Sequence, residues 1–118
     1  MNKINSIKVE NSDITEIKKI SPAIKFSISS PLYYEGQVPV VAYLLLDGTI
    51  QLLKNKKIKQ ILKPGSLIGL NELMSNSPAK LSAEVKAEST LCFLDKSTIL
   101  EVIYDENSTL ANLFNKEK

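Results

Sequence analysis

Apolar and polar positions change their period several times along this chain, and the changes divide it into elements. Ile24, Phe26 and Ile28 alternate with Lys25, Ser27 and Ser29, the period of two that lays the apolar set along one face of a strand. Pro31 ends or re-aims that strand. The run from Val40 to Leu46 is continuously apolar and is closed by Asp47-Gly48. Asp-Gly between two apolar runs predicts a hairpin, since both residues tolerate positive φ. Thr49 to Lys54 reads as the next strand, Asn55-Lys56 as a turn, Lys57 to Leu62 as a further strand, and Pro64-Gly65 as the turn after it. Leu81, Ala83, Val85 and Ala87 then alternate with Ser82, Glu84 and Lys86, which predicts a half-buried strand with small residues inside, and Thr90 to Leu94 follows as another.

Helical spacing brackets these strands. Asp13 and Glu16 form a capping pair ahead of Ile14, Ile17 and Ile20, predicting a short helix that Ser21-Pro22 stops. Gly69 to Met74 predicts one short helix between the strand end Leu67-Ile68 and a loop. Ile99, Leu100, Val102 and Ile103, then Leu110, Leu113 and Phe114, predict two short helices separated by the polar cluster from Asp105 to Ser108. The first dozen residues lack a period and read as a frayed arm or an edge strand. We therefore expect an N-terminal arm at 1–12 and one domain at 13–118, a mostly β jelly-roll sandwich with a short N-terminal helix, a helix after Gly69 and two short C-terminal helices. A chain of 118 residues can bury one core and is too short for two.

Composition narrows the chemistry. The 15 basic residues are all lysines and face 13 acidic ones, a net charge of +2 that lacks the basic excess of a nucleic-acid binder. With no arginine in the chain, no bidentate guanidinium clamp on a phosphate can form. The absence of histidine removes the usual general base and the commonest metal ligand, and a single cysteine, Cys92, allows no internal disulfide. We expect no enzyme activity, no cofactor and no metal. The longest apolar run, Val38 to Leu46, is too short to span a bilayer and contains Pro39, and the N-terminus has no signal-peptide core. The expectation is a cytoplasmic protein with neither membrane nor nucleic acid as partner.

Several clusters admit two readings. Lys54, Lys56, Lys57, Lys59 and Lys63 form a basic hairpin, either a solvated tip that protects sheet edges or a surface for an acidic partner. Tyr33, Tyr34 and Tyr43 pack in a core or rim, or form an aromatic contact patch. Leu113 and Phe114 pack on their own sandwich, or make a small dimer or partner contact. Cys92, in an apolar strand, reads as an inert buried residue. The stretch from Pro64 to Ala87 has the layout of an anion cradle: a tight turn, a strand end, a glycine opening a short helix, a loop and a strand.

A strand leads into a turn glycine at Tyr33-Tyr34-Glu35-Gly36, a second runs into Tyr43-Leu44-Leu45-Leu46-Asp47-Gly48, Pro64-Gly65 precedes the cradle, and Gly69 opens it. With the strand Ala83-Glu84-Val85-Lys86-Ala87 and the paired helices from Ile99 to Phe114, this order resembles the cyclic-nucleotide-binding domains of the catabolite-activator and protein-kinase regulatory type. The resemblance runs from about Ala23 to Phe114, and all four glycines fall on family positions. It implies the jelly-roll fold and a phosphate-binding cassette. The chain ends at Asn115-Lys116-Glu117-Lys118, so we expect no helix-turn-helix to follow.

The same resemblance exposes departures. Where the family cassette typically reads Phe-Gly-Glu, with the glutamate on the ribose hydroxyl, this chain has Ile68-Gly69-Leu70. Leu81 and Glu84 stand where the family has its phosphate-clamping arginine and a following serine or threonine, and Lys80 is one residue off. Charge-assisted hydrogen bonds contribute about 1.5 to 3 kcal/mol each, so losing two contacts weakens binding by roughly 3 to 6 kcal/mol. Glu72 in the first turn and Glu84 add negative charge against an incoming phosphate. The expected pocket (Ile68, Gly69, Leu70, Asn71, Glu72, Leu73, Leu81, Ser82, Ala83 and Glu84) is therefore degenerate and takes neither cAMP nor cGMP. The expected role is a regulatory or scaffolding module acting by protein contacts, with Lys54, Lys56, Lys57, Lys59, Leu113 and Phe114 as candidate partner surface, present as a monomer or a weak homodimer through the C-terminal helices. The alternative is a sensor of a less anionic ligand, favoured by Leu70 and Leu81 making the pocket more apolar. A catalytic cupin-like barrel fails for want of histidine.

Overall fold

The computed structural model describes residues 6–115. The chain runs β1 (Ile7–Lys8), α1 (Asn11–Ile20), β2 (Ala23–Phe26), β3 (Ser30–Tyr33), β4 (Val41–Asp47), β5 (Ile50–Lys54), β6 (Lys57–Leu62), β7 (Ser66–Ile68), α2 (Leu70–Ser75), β8 (Ser82–Val85), β9 (Ser89–Asp95), α3 (Lys96–Ile103) and α4 (Ala111–Asn115). Two antiparallel sheets face one another, one ordered β1-β7-β4-β9-β2 and the other β3-β8-β5-β6. The helices cover the far side of the first sheet, which gives three layers and two cores.

Those cores explain the apolar run through β4. Ala42 and Leu44 face the helices and pack with Leu67, Cys92, Leu94, Ile99, Leu113 and Phe114. Tyr43 and Leu45 face the second sheet and pack with Ile50, Leu52, Ile68, Ala83, Val85 and Leu91. A strand buried on both faces needs no alternation. β8, in the outer layer, alternates as its sequence does: Ala83 and Val85 are buried while Ser82 and Glu84 are only partly so.

Four local expectations change. Asp47-Gly48 closes no hairpin: β4 belongs to the first sheet and β5 to the second, so the turn is a corner that carries the chain between layers. Gly48 has φ +92 and lies against Ser89, where a Cβ would come within 2.6 Å of the Ser89 Cα. Ser89, fully buried, accepts from the Thr49 N–H at 2.9 Å and fixes the corner. Helix α1 starts at Asn11, with Glu10 as N-cap and no side-chain cap bond, so Asp13 sits inside the first turn rather than capping it. The row Ile24, Phe26, Ile28 outruns its strand: β2 is an edge strand ending at Phe26, which packs against the inter-sheet core while Ile24 and Ile28 are exposed. Leu113 and Phe114 offer no partner surface: both are buried, closing the helix-side core over α3.

Within the expected arm, residues 1–5 lie outside the described part, and Ile7–Lys8 forms an edge strand against β7. Val9 donates to the Gly65 carbonyl at 2.8 Å and Lys8 Nζ to the Pro64 carbonyl at 3.0 Å, so this segment straps the Pro-Gly turn. The Asp95 carboxylate caps α3 by accepting from the Thr98 N–H at 2.7 Å. No helix among the described residues is long and apolar enough to cross a membrane.

Candidate functional site

The cassette begins where β7 leaves the first sheet. Gly69, in the left-handed region at φ +82, turns the chain into α2, which ends on Asn76, also left-handed at φ +54. One helical turn closes with the Leu73 N–H donating to the Gly69 carbonyl at 2.9 Å, and the Ser77 N–H returns to the Glu72 carbonyl at 3.0 Å. The loop beyond is pinned to the β3–β4 turn by two backbone bonds, Gly36 N–H to the Ala79 carbonyl at 2.8 Å and Ala79 N–H to the Gln37 carbonyl at 2.7 Å. A short helix and a buried Ala79 thus hold the cassette against the sandwich.

The ten expected pocket residues do not converge on one space. Ile68 and Ala83 are buried between the sheets, and Leu81 packs against that same core. Leu70 and Leu73 turn the other way, into the core beneath the helices. The residue at the ribose-glutamate position therefore makes the helix-side core, not the inter-sheet interior, more apolar. Gly69 shapes the backbone only, and Asn71 is exposed. Ser82 accepts from the Glu35 N–H at 2.9 Å, and Glu84 pairs with Lys86 at 2.9 Å. Both stand on the outer face of the second sheet.

Large side chains occupy the space between the sheets. Tyr43 meets Phe93 edge-on at 5.1 Å between ring centroids, Phe26 stacks on Phe93 at 6.2 Å, and Tyr33 lies 6.2 Å from Tyr43. The Tyr43 hydroxyl donates to the Leu32 carbonyl at 3.2 Å. Burial first, then the Glu72 carboxylate and Tyr43, pushes the Tyr33 phenol far above its ordinary value. Glu72 is thus electrostatically coupled to the inter-sheet side of the cassette. Burial holds the Tyr33 and Tyr43 phenols neutral on this side, and the chain has no guanidinium to pair with an anion there.

The lysine hairpin divides in two. Lys54 pairs with Glu35 at 3.6 Å, and the other Glu35 oxygen accepts from the Asn55 N–H at 3.2 Å, so Glu35 ties the hairpin to the end of β3. Lys56, Lys57 and Lys59 are exposed and make no ion pair among the described residues. Asn55 and Lys56 both have positive φ, 52° and 68°, the geometry of a two-residue hairpin turn in which glycine is the usual second residue. An open hollow of about 300 Å³ lies beside this tip, lined by Pro31, Tyr34, Leu53, Lys56, Ser82 and Glu84 among others. Sequence reasoning gave no site role to Pro31, Leu53, Glu35 or the exposed Ile58 and Ile61. The isoleucines carried a signal, because apolar residues three apart in a strand share a face only across a bulge, and β6 is bulged where Leu52 and Leu53 pair with Gln60 and Ile58.

A sandwich of this topology with a glycine-opened cassette between β7 and β8 defines a class. The family model for the cyclic nucleotide-binding domain matches residues 23–106, and the chain belongs to that family. Among solved structures it is similar to one from a cyclic-GMP-dependent signalling pathway that regulates bacterial phytopathogenesis, with a TM-score of 0.77 and 16% identity over 92% of this chain and 89% of that one. It is similar to the catabolite activator protein of Thermus thermophilus, with a TM-score of 0.70 and 18% identity over 92% of this chain and 51% of that one. It is also similar to the regulatory domain of Toxoplasma gondii PKA with cAMP, with a TM-score of 0.65 and 18% identity over 79% of this chain and 37% of that one. At such identities the likeness is one of fold. No curated protein sequence matches the chain.

Proposed function

We propose that this domain keeps the cyclic-nucleotide-binding fold without its ligand, and that it works as a non-enzymatic regulatory or scaffolding module through contacts with another protein. The observation that carries this reading is Leu81, which stands at the phosphate-clamp position and packs into the inter-sheet core of a chain that has no arginine anywhere. Glu72, whose charge is felt at the Tyr33 phenol, supports it, because a carboxylate in the first turn of α2 opposes an anionic ligand at the cassette. The burial of Leu70 in the other core supports it as well, since an apolar residue there leaves no acceptor for a ribose hydroxyl.

Titration calorimetry and thermal shift with cAMP, cGMP and cyclic dinucleotides test the reading. No saturable heat and no rise in Tm are expected. A dissociation constant below about 100 µM for any of them would overturn it, since that corresponds to more than about 5 kcal/mol of binding.

A further inference from the structure

On the outer face of the second sheet, apolar side chains are exposed in register with one another. β6 pairs with β5 so that Ile61 lies opposite Gln51 and Ile58 opposite Leu53, and β8 continues the two rows through Glu84 and Ser82. Ile58 is 52% exposed, Ile61 56% and Tyr34 57%. No layer among the described residues covers this face, unlike the first sheet with its helices. At its end by the hairpin tip the face sinks into the hollow of about 300 Å³, where Pro31, Tyr34, Leu53, Lys56 and Glu84 are among the lining residues. Exposed aromatic and aliphatic groups around a concavity are what a partner's buried anchor residue fits.

Charge selects the partner. Lys56 lines the hollow, and Lys59 follows in β6 and Lys63 just after it; none of the three makes an ion pair among the described residues, whereas the Glu84 carboxylate is already held by Lys86 at 2.9 Å. Lys56 occupies a left-handed position, φ 68°, that glycine would take without strain. A side chain kept at such a position, at the lip of a hollow, is the kind of local strain from which a binding role is inferred. Glu35 braces the tip from below through Lys54 and the Asn55 N–H, so the lip is already in place before any partner arrives.

We infer that this face, from the Pro31–Tyr34–Leu53 hollow to Ile58 and Ile61, is the docking surface for an acidic segment of a partner protein, which seats one large apolar side chain in the hollow and sets its carboxylates on Lys56 and Lys59. The inference rests on the reading that the domain works through protein contacts, and names the surface and the class of partner. A nucleic acid fits less well, since the hollow is apolar, the chain has no arginine and its net charge is only +2. A lipid surface fits less well too, because the hollow is concave.

The test is an amide-shift titration of the isotopically labelled protein, at physiological ionic strength, with a short synthetic peptide of aspartates and glutamates around one central tryptophan. Saturable shifts confined to residues 31–34, 53–61 and 82–84 are expected, and a serine-centred peptide should bind at least about fivefold more weakly. Tyr34→Ala should weaken the tryptophan peptide by a similar factor. Lys56→Gly is the variant that separates recognition from folding: it relieves the turn, so Tm rises, yet binding falls. The inference is overturned if the two peptides bind equally, if the shifts spread over unrelated lysines such as Lys18 and Lys80, if Lys56→Gly binds as the parent does, or if single-stranded nucleic acid, anionic vesicles or a second copy of the protein shifts the same amides in place of the peptide. Cyclic AMP and cyclic GMP titrated into parallel samples keep the two readings apart. Shifts at 68–73 and 81–83 with nucleotide would overturn the proposed loss of ligand, while a silent peptide titration without them would overturn the docking surface alone.

Discussion

Two regions of this domain carry the same kind of side chain to opposite ends. Between the sheets, Ile68, Leu81 and Ala83 join Tyr33 and Tyr43 in a core that has a layer on either side. One residue away along β8, Ser82 and Glu84 belong to a face with a layer on one side only, and there Leu53, Ile58 and Ile61 stay partly or largely in water. Apolar substitution closes a space where neighbours surround it and creates an adhesive surface where they do not. On the proposed reading, a binding fold loses one site and presents another without changing topology.

The sharpest way to break this contrast is to reinstall the family carboxylate. Leu70→Glu would place a charge at a position that is 1% exposed, and we expect about 4 kcal/mol of destabilisation in urea unfolding, from lost packing plus a buried carboxylate. A variant that stayed fully stable and gained cAMP binding would show that position 70 faces a ligand space rather than the helix-side core. Next comes the corner between the layers. Gly48→Ala would press a Cβ onto the Ser89 backbone at φ +92, and a loss of about 2 to 3 kcal/mol by chemical denaturation is expected.

A titration probes the closed side more gently. Burial raises the Tyr33 and Tyr43 phenols above the ordinary 10.0. A group whose folded pKa is raised stabilises the fold fully below its unfolded pKa, and that stability is lost as pH climbs above it. Tm should therefore hold up to about pH 10 and fall beyond it, and the fall should be shallower in Tyr33→Phe. An identical alkaline slope in the variant would mean that water reaches the ring. The smallest effect belongs to the open side: Lys56→Gly should stabilise by about 0.5 kcal/mol, the relief of a left-handed lysine less the added freedom of glycine when unfolded. A destabilised variant would show that Lys56 holds the fold together rather than serving recognition.

Strand order along the chain, the cassette and the C-terminal helices were legible because each leaves a local mark in period or glycine placement. What was not legible is what lies across from an element. Asp47-Gly48 has the turn chemistry of a hairpin, but only the pairing of β4 with β9 and of β5 with β8 sends its two arms into different sheets. Ile24, Phe26 and Ile28 keep a strand's period at an edge where nothing covers two of them. Leu113 and Phe114 have the spacing of a helix whether it packs inward or outward, and here it packs inward. At the site, the departures at Leu70 and Leu81 could be read off directly. That Leu70 and Leu81 fill different cores, and that Glu35 brings Lys54 out of the free lysine set, depends on contacts between residues distant in sequence.

The strap of β1 across the Pro64–Gly65 turn has a consequence in time as well as in space. A ribosome releases Ile7 long before Leu67, its partner in the sheet, and comparably long delays separate Ala23 from Cys92 and Ser30 from Val85. Only Lys54 and Lys57, at the hairpin tip, can pair as soon as they emerge. The nascent chain must therefore keep its first three strands unpaired while it waits, an arrangement that slows folding and leaves strand edges open to wrong partners. The basic hairpin is then the first strand pair that the emerging chain can form.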